Sequence, residues 1–437
     1  MSEALHRLGP IYLAPGINRL NASTFMLVAF VTIGFLTFVN FGQAYVLNEI
    51  LLIPREEQGN LTGRLAFLTE VVTIVLVGGF GVLSDRIGRR PILIGGLLFM
   101  AVSYVLYPLA TNVTELFVYR FIYAIGVAAG TVMMAILVND YPLERSRGKM
   151  IALGGVFNGL GVIAVNGAFG PLPEWLVAQG FDSVTAGRYT FWLVAALLVP
   201  AAICYRVGLK GGTPVHKAQR PKVTTLLQSG FLEARNPRMM LAYLTALVAR
   251  SDLVVVGTFT ILWGTLAGLE QGMTTATASK QAVFLLLIAQ TAAMLWTFVV
   301  GPALDRLNRV TGVVIGTGIA GAAFLSVGLV DDPLDPSGYP YFVLVGIGQV
   351  SCLLASMALI GQEAPIAKRG SVIGMSALFG AIGILISTLV GGRLFDSWMP
   401  AAPFILVGAA NAVIFVIAIA VRIFAPGPMP AEISARA

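Results

Sequence analysis

Of the chain's 437 residues, 57% are hydrophobic and only 11% charged, where soluble globular domains carry about 25% charged residues. Together with a mean hydropathy of +0.86, this excludes an ordinary soluble protein. The net charge of +7 does not argue for a nucleic-acid partner, because the basic residues sit in short connections between long apolar runs, the pattern of a polytopic membrane protein.

A span needs about 20 mostly apolar residues, and the chain predicts twelve, centred near Ile33, Val72, Phe99, Gly126, Gly159, Ala196, Val248, Ile288, Ile319, Val350, Gly380 and Val413. Charges interrupt the apolar runs every 20 to 40 residues or so, too sparsely for barrel strands of about ten residues, so the spans are helices. Pro10, Pro15 and Arg19 precede the first span, which is too long for the apolar core of a cleavable leader.

On the first span Thr37, Asn40, Ala44 and Asn48 share a helical face, with Gln43 adjacent. The second span holds Glu70, eleven residues before Gly81, or about 16 Å along a helix, which places a carboxyl near the bilayer midplane. An ionisable group at that depth is costly and marks function by default. A proton carrier and a structural ion pair both fit Glu70. The second span then ends in Gly81-Val-Leu-Ser-Asp85-Arg86-Ile-Gly88-Arg89-Arg90. Arg120 lies in the fourth span, followed by Tyr123, Gly126 and Gly130, a run that resembles the fourth-helix motif of the major facilitator superfamily except for Ala124 at a usual glycine position; the resemblance implies a role in proton transfer or anion binding, and a structural donor to backbone carbonyls is the alternative. After the fourth span comes Asp140-Tyr-Pro142 with Glu144, Arg145, Arg147 and Gly148.

Residues 206–238 form the longest polar stretch, with Lys210, Lys217, Arg220, Lys222, Arg235 and Arg238 broken by Pro214, Pro221 and Pro237. In the seventh span Arg250 and Asp252 are two residues apart, about 200° around a helix, so they cannot both face one cavity or pair with each other. Arg250 is the expected cavity residue and Asp252 the expected inward one; pairing of both with neighbouring helices is the alternative. Gln290 and Thr297 share a face of the eighth span, and Gln349, Cys352 and Ser356 one of the tenth. Each line offers either solute contacts or interhelical hydrogen bonds. The pairs Gly155 with Gly159 and Gly380 with Gly383 read as close helix packing.

The charged run of the second span returns 220 positions later as Gly301-Pro-Ala-Leu-Asp305-Arg306-Leu-Asn308-Arg309. Asp140-Tyr-Pro142 likewise returns as Glu363-Ala-Pro365 followed by Lys368, Arg369 and Gly370, 223 positions on. Two repeats at nearly one offset indicate duplication, as in transporters that alternate access about a midplane site. The first run resembles the loop motif of the major facilitator superfamily at every defined position; the second departs at Asn308, where the small glycine would fall. The resemblance covers nearly the whole chain. It implies a fold of twelve transmembrane helices in two pseudo-symmetric six-helix bundles, with the first, fourth, seventh and tenth helices around a central path.

The resemblance also implies a conformational latch, formed by Gly81, Asp85, Arg86, Gly88, Arg89, Arg90, Asp140 and Arg147 in the first copy and by Asp305, Arg306, Arg309, Glu363 and Arg369 in the second. In the superfamily the first Asp, here Asp85, faces the start of the eleventh helix near Gly370 and Ser371. A role for these arginines as topology determinants alone is the alternative. The fifth span, with Asn158 and Asn166, lacks the Gly-Pro pair of the superfamily's drug/proton antiporters, and the sugar-porter signature after the sixth span is absent.

The chain therefore divides into a first half (1–208), a central loop (209–237) and a second half (238–437). If the N-terminus is cytoplasmic, inner segments hold 21 of the 28 basic residues and outer loops five, Arg55, Arg64, Arg188, Lys280 and Arg393. That asymmetry places both termini in the cytoplasm and the protein, multi-pass, in the cell membrane. Cys204 and Cys352 lie in apolar spans, so no disulfide is expected. No phosphate-binding loop, cofactor site or metal-ligand cluster is expected; the two histidines, His6 and His216, lie outside the spans, and no catalytic constellation suggests an enzyme.

The expected function is secondary active transport of a small polar or anionic organic solute, coupled to protons. Glu70 and Asp252 are the candidate proton carriers, and Asn40, Gln43, Arg120, Tyr123, Arg250, Gln290 and Gln349 the candidate substrate contacts. The expected partners are the solute, H+ and the lipid bilayer, for a monomeric protein. Proton-driven efflux of amphipathic compounds is the alternative if Tyr45, Tyr123, Phe259 and Trp263 dominate the cavity. A transporter-like receptor or assembly factor is a third reading, disfavoured by the intact first motif.

Overall fold

The structure, a computed structural model, describes residues 7–143, 146–212, 229–365 and 369–428. Outside the described residues lie His6, Glu144, Arg145, Lys217, Arg220, Lys222, His216 and Lys368, as do the side chains of Asp305 and Arg369. Among the described residues twelve helices are long and apolar enough to cross a membrane, the number the hydropathy pattern predicts.

A short hairpin of β1 (Arg7–Leu8) and β2 (Ile11–Tyr12) precedes them. The first six helices are α1 (Arg19–Tyr45), α2 (Arg55–Ile87), α3 (Arg89–Leu106), α4 (Val113–Asp140), α5 (Arg147–Phe169) and α6 (Ser183–Gly208). The remaining six are α7 (Pro237–Glu270), α8 (Thr275–Arg306), α9 (Arg309–Ser326), α10 (Tyr339–Glu363), α11 (Arg369–Ser397) and α12 (Ala402–Phe424).

Local chemistry sets the helix ends. Asn18 and Asn21 form a reciprocal capping box at the start of α1, each side chain accepting from the other's backbone N–H at 2.8 and 3.1 Å. Asn112 caps α4, Asp182 caps α6, and Asn236 caps α7 with Pro237 at its first position. Between α2 and α3 a single residue reverses the chain. That residue is Gly88 at φ +98°, a conformation that side chains with a Cβ rarely adopt. At the corresponding turn between α8 and α9, Asn308 has φ −57° and caps α9, accepting from the N–H groups of Val310 and Thr311 at 3.0 and 3.3 Å. The departure from glycine in the second motif thus accompanies a different turn, one in which Asn308 Nδ2 also donates to the carbonyls of Gly427 and Pro428 at 3.1 and 3.3 Å.

The described chain forms two compact units. The first comprises residues 1–53, 68–218 and 274–280, the second residues 54–67, 219–273 and 281–437. In the first unit α1 packs on α5, α3 on α4 and α3 on α6; in the second α7 packs on α11, α9 on α10 and α9 on α12, so each pairing recurs six helices later. The sequence duplication is therefore a duplication of packing.

Small residues set the closest approaches, as expected where helices associate by packing rather than by exclusion from water. On α5 the close contact is at Gly161, whose added Cβ would strike the Phe30 carbonyl of α1, while nothing lies within 4 Å of a Cβ at Gly155. The expectation of tight packing at Gly155 is corrected by one turn and a half: helix crossing angle, not glycine count, decides which glycine meets its neighbour. Gly383 behaves as expected, with its Cβ position against the Leu247 carbonyl of α7. The core of the first unit is an aromatic cluster in which Phe38 meets Tyr104 and Phe191 edge-on at 5.4 and 5.3 Å, and Tyr107 stacks on Phe191 at 5.8 Å.

Candidate functional site

In the first unit the structure builds a buried cationic site around Arg120, which is only 4% exposed. Its Nε donates to Thr69 Oγ1 of α2 at 2.8 Å, and its guanidinium carbon lies 4.9 Å from the centre of the Tyr123 ring, one turn along α4. Tyr123 is fixed in turn by its hydroxyl, which donates to the Leu36 carbonyl of α1 at 2.6 Å. Arg120 Nη1 has no hydrogen-bond partner among the described residues. A charged donor left open in a low-dielectric site is costly, and an anionic ligand would satisfy it.

Nearby, the Tyr104 hydroxyl donates to the Phe35 carbonyl and the Tyr107 hydroxyl to Gln43 Oε1 at 3.3 Å. Gln43, itself buried, is thereby joined to the phenolic cluster through Tyr107, and Tyr104 meets Tyr123 at 5.9 Å. Tyr104, Tyr107 and Thr69 carry no sequence signal beyond residue type; only the packing of α1, α2, α3 and α4 gathers them. Glu70 is half-buried and directly follows Thr69, the residue that holds Arg120. Asn40 of α1 is half-buried.

In the second unit Arg250 is exposed and its aliphatic stem lies across Gly380 of α11, where any Cβ would collide with Arg250 Cδ. Asp252 is completely buried. Its Oδ1 accepts from Asn411 Nδ2 of α12 at 2.8 Å, and Asn411 Oδ1 lies 3.4 Å from Cys352 Sγ of α10, the weak donor. Asp252 Oδ2 has no partner among the described residues. The tenth-span line of Gln349, Cys352 and Ser356 faces this interior rather than open space, each member 3% exposed or less. Gln349 Nε2 reaches Gln290 Oε1 at 3.5 Å, the outer limit of a hydrogen bond, and its Oε1 is unpartnered among the described residues.

The motif residues of the first copy come together with the Asp140 motif. Arg89 Nη1 donates to Asp85 Oδ1 and Ser84 Oγ, both at 2.5 Å, and its Nε to Asp140 Oδ2 at 3.3 Å. One guanidinium therefore joins two motifs that the sequence shows 51 residues apart. Arg90 Nη1 donates to the Arg206 carbonyl at 2.9 Å, Arg86 is exposed, Arg147 is half-buried and Gly81 has open space around its Cβ position.

In the second copy Glu363 takes Arg238 instead. Arg238 Nε stands 2.9 Å from Glu363 Oε2, close enough for an ion pair though not aligned as a hydrogen bond. Arg309 Nη1 donates to the Leu304 carbonyl at 2.7 Å, and Arg306 is exposed. At the start of α11, Ser371 Oγ pairs with Ser229 Oγ at 2.8 Å.

Twelve membrane-length helices in duplicated packing, with buried ionisable groups in each unit, define a secondary transporter rather than an enzyme. The chain matches the family model of the Major Facilitator Superfamily over residues 24–342, and it belongs to that family. The magnetosome protein MamH of Paramagnetospirillum magneticum is 29% identical over 390 residues, which cover 87% of each chain. The magnetosome protein MamZ of the same organism is 25% identical over 385 residues, 84% of this chain but 58% of that longer protein. The 4-hydroxybenzoate transporter PcaK of Pseudomonas putida is 27% identical over 274 residues, 57% of this chain and 60% of that one. Among solved structures, the nucleoside transporter NupG superposes with a TM-score of 0.71 at 13% identity, covering 91% of this chain and 99% of that one, a likeness of fold.

Proposed function

We propose that the protein carries a small organic anion, held by Arg120, with transport coupled to protons through Glu70. The observation that carries this reading is the buried, open Nη1 of Arg120 in a cage of phenol, amide and hydroxyl groups. Cation, ring face and hydrogen-bond donors suit a carboxylate on a small, flat or polar body. Similarity to a 4-hydroxybenzoate transporter supports the anionic class. The two magnetosome relatives carry no solute in their names.

Asn40, Gln43 and Tyr123 shape the same site from α1 and α4, while Arg250, Gln290 and Gln349 are the substrate contacts proposed in the second unit. Glu70 follows the threonine that orients Arg120, so a change in its charge would be felt at the cation; Asp252 is the second candidate carrier. Asp85, Arg89 and Asp140, with Arg238 and Glu363, form the proposed latch of the cycle. The halves 1–208 and 238–437 are proposed to rock about a central site, with both termini cytoplasmic.

Export of amphipathic compounds would draw on aromatic faces open to the pathway. Tyr45, Tyr123, Phe259 and Trp263 are as buried as Arg120; it is the unpartnered Nη1 of Arg120, not their burial, that favours the anion reading.

The test is thermal stabilisation of the purified protein by 4-hydroxybenzoate, short aliphatic carboxylates and lipophilic cations, in wild type and Arg120→Met. Stabilisation by a carboxylate that disappears in Arg120→Met is the expected result. Stabilisation by cations alone overturns the reading.

A further inference from the structure

The segment that precedes α1 is built into the first unit by backbone pairing. In its hairpin, β1 pairs with β2 in the register Arg7 to Tyr12 and Leu8 to Ile11. The connection between α4 and α5 extends the pairing beyond β2. Leu13 bridges Pro142 in the antiparallel sense, the Ala14 N–H donates to the Tyr141 carbonyl at 2.9 Å, and the Leu143 N–H donates to the Tyr12 carbonyl at 2.8 Å. The Tyr12 N–H donates to Oγ of Ser146, a buried residue immediately before α5, at 3.0 Å.

Side chains seat the same stretch. Ile11 and Leu13 are buried and alternate with Tyr12, the period of a strand. The Arg7 guanidinium lies 4.4 Å from the centre of the Tyr12 ring, and Ile17, just before α1, is buried as well.

The strand's partner is the Asp140 motif. Asp140 is the last residue of α4 and Tyr141 its C-cap, so Asp140 stands one residue from the carbonyl that takes the Ala14 N–H. Carbonyls at a helix end have no partner within their own helix, and here the segment before α1 supplies one. Tyr141 is also a junction: its ring meets Phe25 of α1 at 6.2 Å, and its hydroxyl accepts from the Lys210 N–H, just beyond α6, at 3.1 Å. Arg89 Nε holds Asp140 Oδ2 at 3.3 Å. The end of α4 is therefore tied twice, to Arg89 through a side chain and to the segment before α1 through the backbone. Ties on adjacent residues of one turn are close enough to couple energetically.

We propose that residues 11–14 are a brace for the end of α4: the segment sets Asp140 against Arg89, and the Arg89–Asp140 contact in return holds the segment down. Coupling of this kind is reciprocal. Lifting the segment loosens the end of α4, which makes the stretch before α1 a regulatory element acting on the Asp140 motif. Only the consequence for transport rests on the latch reading; the coupling rests on the contacts.

The experiment follows trypsin cleavage after Arg7 in the purified full chain, read by mass as the product beginning at Leu8. Arg7 is exposed but paired, and cleavage there reports how often the segment lifts. Ala14→Pro deletes the N–H that meets Tyr141 and is expected to accelerate cleavage about fivefold, the worth of one hydrogen bond. Asp140→Ala removes the tie to Arg89 and leaves the backbone bonds of the segment in place. It is expected to accelerate cleavage about threefold to fivefold, the worth of a part-exposed ion pair. Glu115→Ala removes an acid from the first turn of α4, at its opposite end, and is expected to leave the rate unchanged.

A wild-type rate in Asp140→Ala overturns the proposal, since the segment is then a local cap. A wild-type rate in Ala14→Pro overturns it too, because the pairing would not be what holds the segment. Equal acceleration in Glu115→Ala overturns it as general loosening. Faster cleavage in Asp140→Ala with unchanged transport would remove the latch role and leave the brace standing.

Discussion

Arg250 and Asp252 stand two residues apart on α7 and face opposite environments: Arg250 lies exposed across Gly380 of α11, and Asp252 is completely buried against Asn411 of α12. The helical turn between them makes this separation unavoidable, and the neighbours decide which residue goes in. Gly380 leaves room for the arginine stem, while Asn411 supplies the amide that a buried carboxyl needs.

Removing that amide should therefore destabilise the protein. Asn411→Leu leaves Asp252 without its one described hydrogen bond and should cost roughly 1–3 kcal/mol, read as a lower melting temperature. The double change Asp252→Leu with Asn411→Leu should recover most of the loss, since an apolar pair replaces the polar one. A wild-type melting temperature for Asn411→Leu alone would show that the contact contributes nothing.

Arg120→Lys keeps the charge but loses the planar fork that reaches Thr69 and leaves Nη1 open. Carboxylate affinity should fall by about tenfold to a hundredfold, the worth of a charge-assisted hydrogen bond. Thr69→Val should lower it by about fivefold, because the arginine loses its orienting acceptor. Titrated thermal shifts measure both; equal affinities in all three proteins would remove Arg120 from the site.

Glu70→Gln should abolish accumulation driven by a pH gradient while retaining solute exchange at zero gradient, because a permanently neutral side chain resembles the loaded carrier and cannot release its proton. Vesicle uptake with and without the gradient separates the two. Accumulation that survives in Glu70→Gln would shift the assignment to Asp252.

Exchanging the key residue should cost stability at both motif turns, by different routes. Gly88→Asn forces a side chain into φ +98° and should be destabilising by about 1 kcal/mol or more. Asn308→Gly removes a cap and the tie to Gly427 and Pro428, costing a few tenths of a kcal/mol for the cap itself, and should make the C-terminal segment easier to cleave. Limited proteolysis and thermal melts distinguish the two effects.

The proposed orientation has a direct check. Cysteines at Glu57 and Asp332 should react with an impermeant reagent in intact cells and one at Lys217 should not, as the basic-residue asymmetry requires. The reverse pattern would invert the topology.

Hydropathy and repetition determine the architecture from the sequence by itself. Twelve apolar runs must be helices because backbone polar groups have no other partners in hydrocarbon, and two motifs repeated at nearly equal offsets imply equivalent packing in each unit. The opposed directions of Arg250 and Asp252 follow from helical geometry alone.

Partnerships between helices distant in sequence are another matter. That Arg120 meets Thr69 and Tyr123, that Asn411 answers Asp252, and that Gly161 rather than Gly155 makes the close crossing depend on rotation and crossing of whole helices. Periodicity shows which residues share a face, but the neighbour that face meets is set by the packing of every other helix at once, so only the tertiary structure decides it.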